Sequence, residues 1–211
     1  MNGALRREPE TRVHPGKDRI EVEGQAVAAA RKIYLALNKP RGIVTTASDE
    51  KGRDTVYSLL DKGLPWIAPV GRLDKASEGL LLLTNDSEWA ARITAPETHL
   101  DKTYHVQIGK IADLELVSAL KSGVRAEDGE LLRMKDASLL RAGERNSWLE
   151  IILDEGKNRH IRRMLEILGL EVLRLIRVAI GPLALGDLAK GGSRELSKEE
   201  KIALDHAMRK R

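Results

Sequence analysis

Apolar residues run unbroken over 33–37, Ile-Tyr-Leu-Ala-Leu. Such a run predicts a strand buried on both faces. A turn follows at Asn38-Lys39-Pro40-Arg41-Gly42, and apolar positions over 43–46 read as the strand resuming. Residues 55–60 suit about one and a half helical turns. A short apolar run at 66–70 closes at Gly71, where the missing Cβ lets the backbone bend sharply. Residues 80–84, Leu-Leu-Leu-Leu-Thr, predict another fully buried strand, and 88–95 a short helix. Lys-Thr-Tyr-His-Val-Gln-Ile at 102–108 alternates with period two and predicts a strand. Leu116 and Leu120, four apart, mark an amphipathic helix over 112–122 with Gly123 as its stop.

The rest of the chain is built the same way. Residues 124–140 give two short strands around a turn at Asp128-Gly129. Residues 148–153 read as a strand, 157–168 as a helix stopped by Gly169, and 172–180 as a strand ending at the Gly181-Pro182 turn. A polar helix over 198–210 has Ser197 as its N-cap. Residues 1–30 are different: polar, with a turn at His14-Pro15-Gly16 and a short strand at 19–22, unable to bury a core alone. Helices and strands mix without strict alternation, and the hairpin-like pairs point to an α+β fold with a mixed, mainly antiparallel sheet. The division expected is an N-terminal tail or linker, 1–30, and one domain, 31–211.

Composition adds limits. There is no Phe and aromatic content is 3%, so Leu, Ile, Val and Ala must fill the core. There is no Cys, which excludes disulfides, thiolate zinc sites and a cysteine nucleophile. A net charge of +4 and a pI near 9.3 favour a polyanionic partner only weakly. No signal core or transmembrane run occurs, so the chain reads as soluble and cytoplasmic. The histidines lack metal-ligand spacing, and neither a GxSxG elbow nor a phosphate-binding GxxxxGK[ST] loop is present. Chemistry, if any, falls to side chains without metal or cofactor.

Two stretches carry candidate chemistry. In PVGRLDKASEGLLLLTND, which starts at Pro69, Asp74 lies between apolar runs with Arg72 and Lys75 beside it. Positive neighbours keep a carboxylate ionised, and on a rigid mount it can act as nucleophile or charge stabiliser. An isolated Arg-x-Asp would read as a solvated ion pair of little worth. In EGKNRHIRRMLEIL, which starts at Glu155, a helical repeat of about 100° puts Ile161, Met164, Leu165 and Leu168 on one face. Arg159, Arg163 and Glu166 fall opposite, with Arg162 on the border. From Lys157 to Arg177 there are six Lys or Arg against two Glu. That excess reads either as a solvated face or as a phosphate-contacting stripe, and the one-sidedness favours phosphate.

Three blocks, LNKPRGIVTT, GRLDKASEGLLLLTND followed by DKTYHV, and EGKNRHIRRM followed by LRLIRVAIGPLALGDLAKGGSREL, stand in one order. In that order they resemble the RsuA-type ribosomal RNA pseudouridine synthases over about 33–196. The resemblance implies a mixed sheet with flanking helices and a cleft across it. It implies an isomerase that breaks the C1′–N1 bond of a flipped-out uridine and rejoins the base through C5, with no cofactor and no metal. Asp74 resembles the catalytic aspartate. Tyr104 resembles the tyrosine that stacks on the base; without the family it would read as a core residue. Arg162 resembles the arginine paired with the aspartate, with Arg163 as its competitor. Arg72 resembles the arginine that replaces the flipped nucleotide. The cations set out for RNA are Arg72, Lys75, Lys39, Arg41, Lys102, Arg159, Arg163, Arg174 and Arg177. The partner implied is ribosomal RNA, 23S favoured over 16S, and nothing suggests more than a monomer. Residues 1–30 resemble only the tail of the small RNA-binding domain with which most members begin. A non-catalytic RNA-binding protein would use the same basic residues but makes no demand on Asp74.

Overall fold

The structure, a computed structural model, describes residues 1–8, 10–14, 17–27, 31–46, 52–157 and 159–209. The chain divides into two units, Met1–Lys32 and Ile33–Arg211. The first carries a hairpin, β1 (Glu21–Val22) and β2 (Gln25–Ala26), joined by Glu23 and Gly24. Both joining residues have positive φ, 51° and 79°, as a two-residue hairpin loop of the mirror-image type requires. Of the turn expected at 14–16, Pro15 and Gly16 lie outside the described residues.

The second unit is built on one sheet. In chain order come β3 (Tyr34–Lys39), β4 (Ala68–Val70), β5 (Glu78–Thr84), helix α1 (Ser87–Thr94) and β6 (Lys102–Ile108). Then follow α2 (Leu114–Ser122), a small separate hairpin of β7 (Val124–Arg125) and β8 (Leu131–Leu132), and the long pair β9 (Asp136–Ala142) and β10 (Ser147–Leu153). The chain ends with α3 (His160–Ile167), β11 (Val172–Ile180), β12 (Leu183–Ala184), β13 (Ser193–Glu195) and α4 (Lys198–Ala207). The sheet order is β13-β3-β5-β11-β6-β10-β9, antiparallel throughout except where β5 meets β11. The architecture is α+β with a mixed, mainly antiparallel sheet, as the element pattern predicts, and four α-helices among the described residues. No helix among the described residues is long and apolar enough to cross a membrane.

The unbroken leucine run of β5 has a packing cause. Successive strand side chains point to opposite faces. Leu80 and Leu82 join a cluster with Trp89 and Ile93 of α1 and Leu204 of α4. Leu81 and Leu83 join Val56, Ile67 and Leu73 on the other side. Both faces are covered, so no polar residue interrupts the run; full burial of each Leu contributes about 1.5–3 kcal/mol. A third cluster packs β6 and β10 against α2 and α3. Three of the helices begin on side-chain caps, of which Ser197 is the one expected from sequence. Asp86 and Asp113 accept the first-turn N–H groups of Trp89 and Leu116, and Ser197 with Glu200 forms a reciprocal capping box.

Several expectations need correction. Residues 43–46 do not resume a strand; Val44 alone bridges Thr55. The turns at 55–60 tighten to a 3-10 segment, Val56–Leu59. Helix α3 starts at His160 rather than 157, since Arg159 sits in the left-handed region at φ 47°. Strands β12 and β13 were not foreseen. The end of the C-terminal helix expected at 210 lies outside the described residues.

One feature of topology positions the site. β3 pairs with Gly79 to Thr84 along one edge of β5. The other edge is divided: β11 takes Glu78 and Gly79, while β4 takes Leu82 to Thr84. The sheet therefore splits between β4 and β11, and the β4–β5 loop, 71–77, lies at the split.

Candidate active site

The split opens into a cavity of about 310 Å³. Asp74, Arg72, Tyr104, Lys102, Arg159, Arg162 and Arg177 all line it, with Val70, Leu73, Ile93, Leu175 and Ile180 as apolar walls. Seven of the residues singled out from sequence thus meet at one place, although they come from four separate segments of the chain.

Asp74 is mounted by its own loop. Five successive carbonyls, Leu73 to Ser77, each accept a hydrogen bond. Thr45 Oγ1 donates to Leu73 O at 2.8 Å, and Ser77 N to Asp74 O at 2.9 Å. Gly42 N donates to Lys75 O at 2.8 Å, Arg162 Nη2 to Ala76 O at 3.0 Å and Lys39 Nζ to Ser77 O at 2.9 Å. A loop normally leaves its carbonyls to water; here backbone and side-chain donors fix every one, so the carboxylate of Asp74 has little backbone freedom. The carboxylate itself is exposed and has no hydrogen bond or ion pair among the described residues.

Arg162 occupies the border position expected of it and is half-buried on α3. It does not form a direct ion pair with Asp74; its Nη2 caps the loop at Ala76 instead. Burial pushes its pKa down and the nearby Asp74 charge pulls it up. So the positive charge faces the carboxylate while the guanidinium supports the loop that carries it. Arg163, its competitor, is turned away and binds Glu130 at 2.8 Å and Asp128 at 3.1 Å.

Not every cation expected on RNA is available. Lys39 is 0% exposed, with Nζ on the carbonyls of Pro40, Ile43 and Ser77. Burial pushes its pKa down to about 8, against the upward pull of Glu78 and Asp74. It is a structural strut. Arg174 points away from the cavity, gripping buried Glu78 through both Nε and Nη2 and lying 5.6 Å over the Trp148 ring. Arg177 is 6% exposed, with Nε on Leu80 O at 2.7 Å. Arg72 and Lys75 are exposed and without partners among the described residues. Arg41 is exposed and reaches Leu173 O at 3.4 Å.

The sequence reading set the histidines aside, yet His160 lines the cavity, 2% exposed, with neither ring nitrogen hydrogen-bonded among the described residues. Glu78 was also missed. It is 4% exposed and gathers Arg174 and Lys190, the latter at 2.7 Å, beneath the loop. Its place at the start of a buried strand was the available signal, since a carboxylate there needs cationic partners.

A carboxylate on a fixed loop, an aromatic ring and a half-buried arginine around a cavity define a site for attack or charge stabilisation at an electrophilic carbon. The RNA pseudouridylate synthase family profile matches residues 33–167. The ribosomal large subunit pseudouridine synthase B of Bacillus subtilis (strain 168) is 40% identical over 187 residues, 88% of this chain and 76% of that one. An uncharacterized RNA pseudouridine synthase of Aquifex aeolicus (strain VF5) is 37% identical over 209 residues, 99% of this chain and 84% of that one. A crystal structure of a pseudouridylate synthase superposes with a TM-score of 0.74 at 29% identity, covering 96% of this chain and 86% of that one. The chain belongs to the RNA pseudouridylate synthase family. It is an RNA pseudouridine synthase, an isomerase, with the fold and the family membership expected from its sequence blocks.

Proposed function

We propose that the chain converts a specific uridine of ribosomal RNA to pseudouridine, in 23S rather than 16S RNA, with Asp74 as the catalytic group. The fixing of five successive loop carbonyls around Asp74 carries the assignment, because a reacting carboxylate must be held in place. The large-subunit preference draws on the name of the Bacillus subtilis relative.

In this mechanism the uridine leaves the duplex, at a cost of a few kcal/mol. Arg72, exposed on the loop, fills the space it vacates. Tyr104 stacks on the base, worth about 1–3 kcal/mol. The C1′–N1 bond breaks with its electron pair going to the base, and Asp74 bonds to C1′ or balances its positive charge. The base turns, C5 bonds to C1′ as any Asp74–C1′ bond breaks and returns its electron pair to the carboxylate, the C5 proton leaves and N1 takes one up. Exposed Arg159, Lys75 and Arg41 meet the backbone phosphates at the mouth.

The test maps pseudouridine at nucleotide resolution on 16S and 23S transcripts, and on ribosomal particles, with Asp74→Asn alongside. One new site in 23S RNA, absent with the variant while RNA affinity is kept, is the expected outcome. Turnover by Asp74→Asn, or a site in 16S RNA, would overturn the corresponding part.

A further inference from the structure

We infer that Arg177 is a catalytic residue that donates from its guanidinium to a carbonyl oxygen of the target uracil, stabilising the negative charge the base acquires as C1′–N1 breaks. The inference rests on the reading of the cavity as the site of uridine isomerisation.

Three observations carry it. First, Arg177 is buried in the cavity wall without a carboxylate partner among the described residues. Its Nε is fixed on Leu80 O, and its Nη2 is buried with no hydrogen-bond partner. The guanidinium therefore holds N–H donors that no described residue uses, on a residue that lines the cavity. An uncompensated buried charge is costly, and in a catalytic cavity it marks a place where negative charge arrives. Second, Lys102 lies in the same wall, and burial, then the Arg177 charge, pushes its pKa down. Two cations thus share one end of the cavity. Third, Arg177 is the direct cross-strand partner of Tyr104 between β11 and β6. Such partners project on one face with Cβ atoms about 4.5–5.5 Å apart. If the base stacks on Tyr104, Arg177 stands at the edge of that base.

Phosphate is the competing ligand. Backbone phosphates stay at the mouth, where Arg72, Lys75 and Arg159 are exposed. Arg177 lies inside, among Leu175, Ile180 and Tyr104, where a planar base fits better than a hydrated phosphate. The electron pair released from C1′–N1 spreads over N1, O2 and O4. Arg177 transfers no proton; it holds one of those oxygens until C5 has bonded to C1′.

The experiment measures single-turnover pseudouridine formation and RNA binding for the wild type, Arg177→Met and Arg177→Lys. It uses transcripts made with uridine, 2-thiouridine or 4-thiouridine. Wild type is expected to convert uridine transcripts and to slow on at least one thio transcript. Arg177→Met should lose rate by 100-fold or more with RNA affinity within threefold, and Arg177→Lys at least tenfold. In Arg177→Lys the wild-type thio penalty should shrink to less than threefold, a change that a merely structural role would not produce. Should Arg177→Met fail to fold, Arg177→Lys carries the comparison. Weakened RNA binding with the rate kept would make Arg177 a phosphate contact, and an unchanged thio penalty would make it structural; either overturns the inference. A wild type that converts no RNA, as transcript or particle, overturns the reading of the site and the inference with it.

Discussion

Gly79 and Arg177 meet across the short parallel pairing of β5 and β11 so closely that a Cβ on Gly79 would lie 2.2 Å from the carbonyl oxygen of Arg177. Gly79 also has φ 102°, a conformation side chains rarely adopt. The contact joins the two halves of the sheet at the point where they begin to split around the cavity.

Gly79→Ala therefore forces β5 and β11 apart and strains the backbone. It should destabilise the protein by roughly 2–4 kcal/mol, combining overpacking with strain at positive φ. Denaturant unfolding with an unchanged slope would measure it. A loss under about 0.5 kcal/mol would mean the strands separate freely.

Arg162 and Arg163 are adjacent in sequence but engage opposite partners, Ala76 of the loop and the Asp128–Glu130 pair. Arg162→Ala removes a loop donor and the cation facing Asp74, and should lower the single-turnover rate about 100-fold, the scale of a lost electrostatic stabiliser. Arg163→Ala removes a partly exposed ion pair and should leave the rate near that of wild type. The reverse order would move the catalytic role to Arg163.

Much of this arrangement is legible in the chain itself. The leucines at 80–83 announce a strand covered on both faces, and helical spacing alone puts Arg162 on the border of its helix. Alternation could also have separated Arg174 from Arg177: three apart in a strand, they point to opposite faces, one to Glu78 and one to the cavity. Counting them as a single basic stripe lost that information. Lys39 is different. Its burial depends on the carbonyl of Ser77, 38 residues away, and no local pattern encodes that. The segment at 43–46 failed for a similar reason. Its apolar residues suit a strand, but the chain there serves the loop that carries Asp74 through Thr45 and Gly42.

Lys39→Met leaves the carbonyls of Pro40, Ile43 and Ser77 without their buried donor. It should cost about 1–3 kcal/mol, the penalty for orphaned buried groups. It should also change the pH dependence. Because the folded pKa, about 8, lies below the unfolded 10.5, the unfolded chain binds more protons between these values. The contribution of Lys39 to stability therefore rises as pH goes from 8 to 10.5. Denaturation across that range should show the wild-type advantage over Lys39→Met growing with pH. An advantage that falls would mean the ammonium form is the one favoured in the folded protein.

His160 titrates with the same sign in the acid range. It is 2% exposed, and its Nδ1 lies 3.9 Å from a Glu155 oxygen. Burial pushes its pKa below 6.5, outweighing the upward pull of Glu155. The folded protein therefore holds the ring neutral where the unfolded chain takes up a proton. The stability His160 contributes is complete above pH 6.5 and is lost as pH falls through the folded pKa. His160→Leu, which cannot charge, removes that dependence. The stability of wild type relative to His160→Leu should decline on acidification from pH 7 to pH 5, read from denaturant midpoints on both proteins. A difference that stays constant over this range would show that the ring reaches water and that the cavity wall at α3 is open rather than sealed, and one that grows on acidification would show a full pair with Glu155.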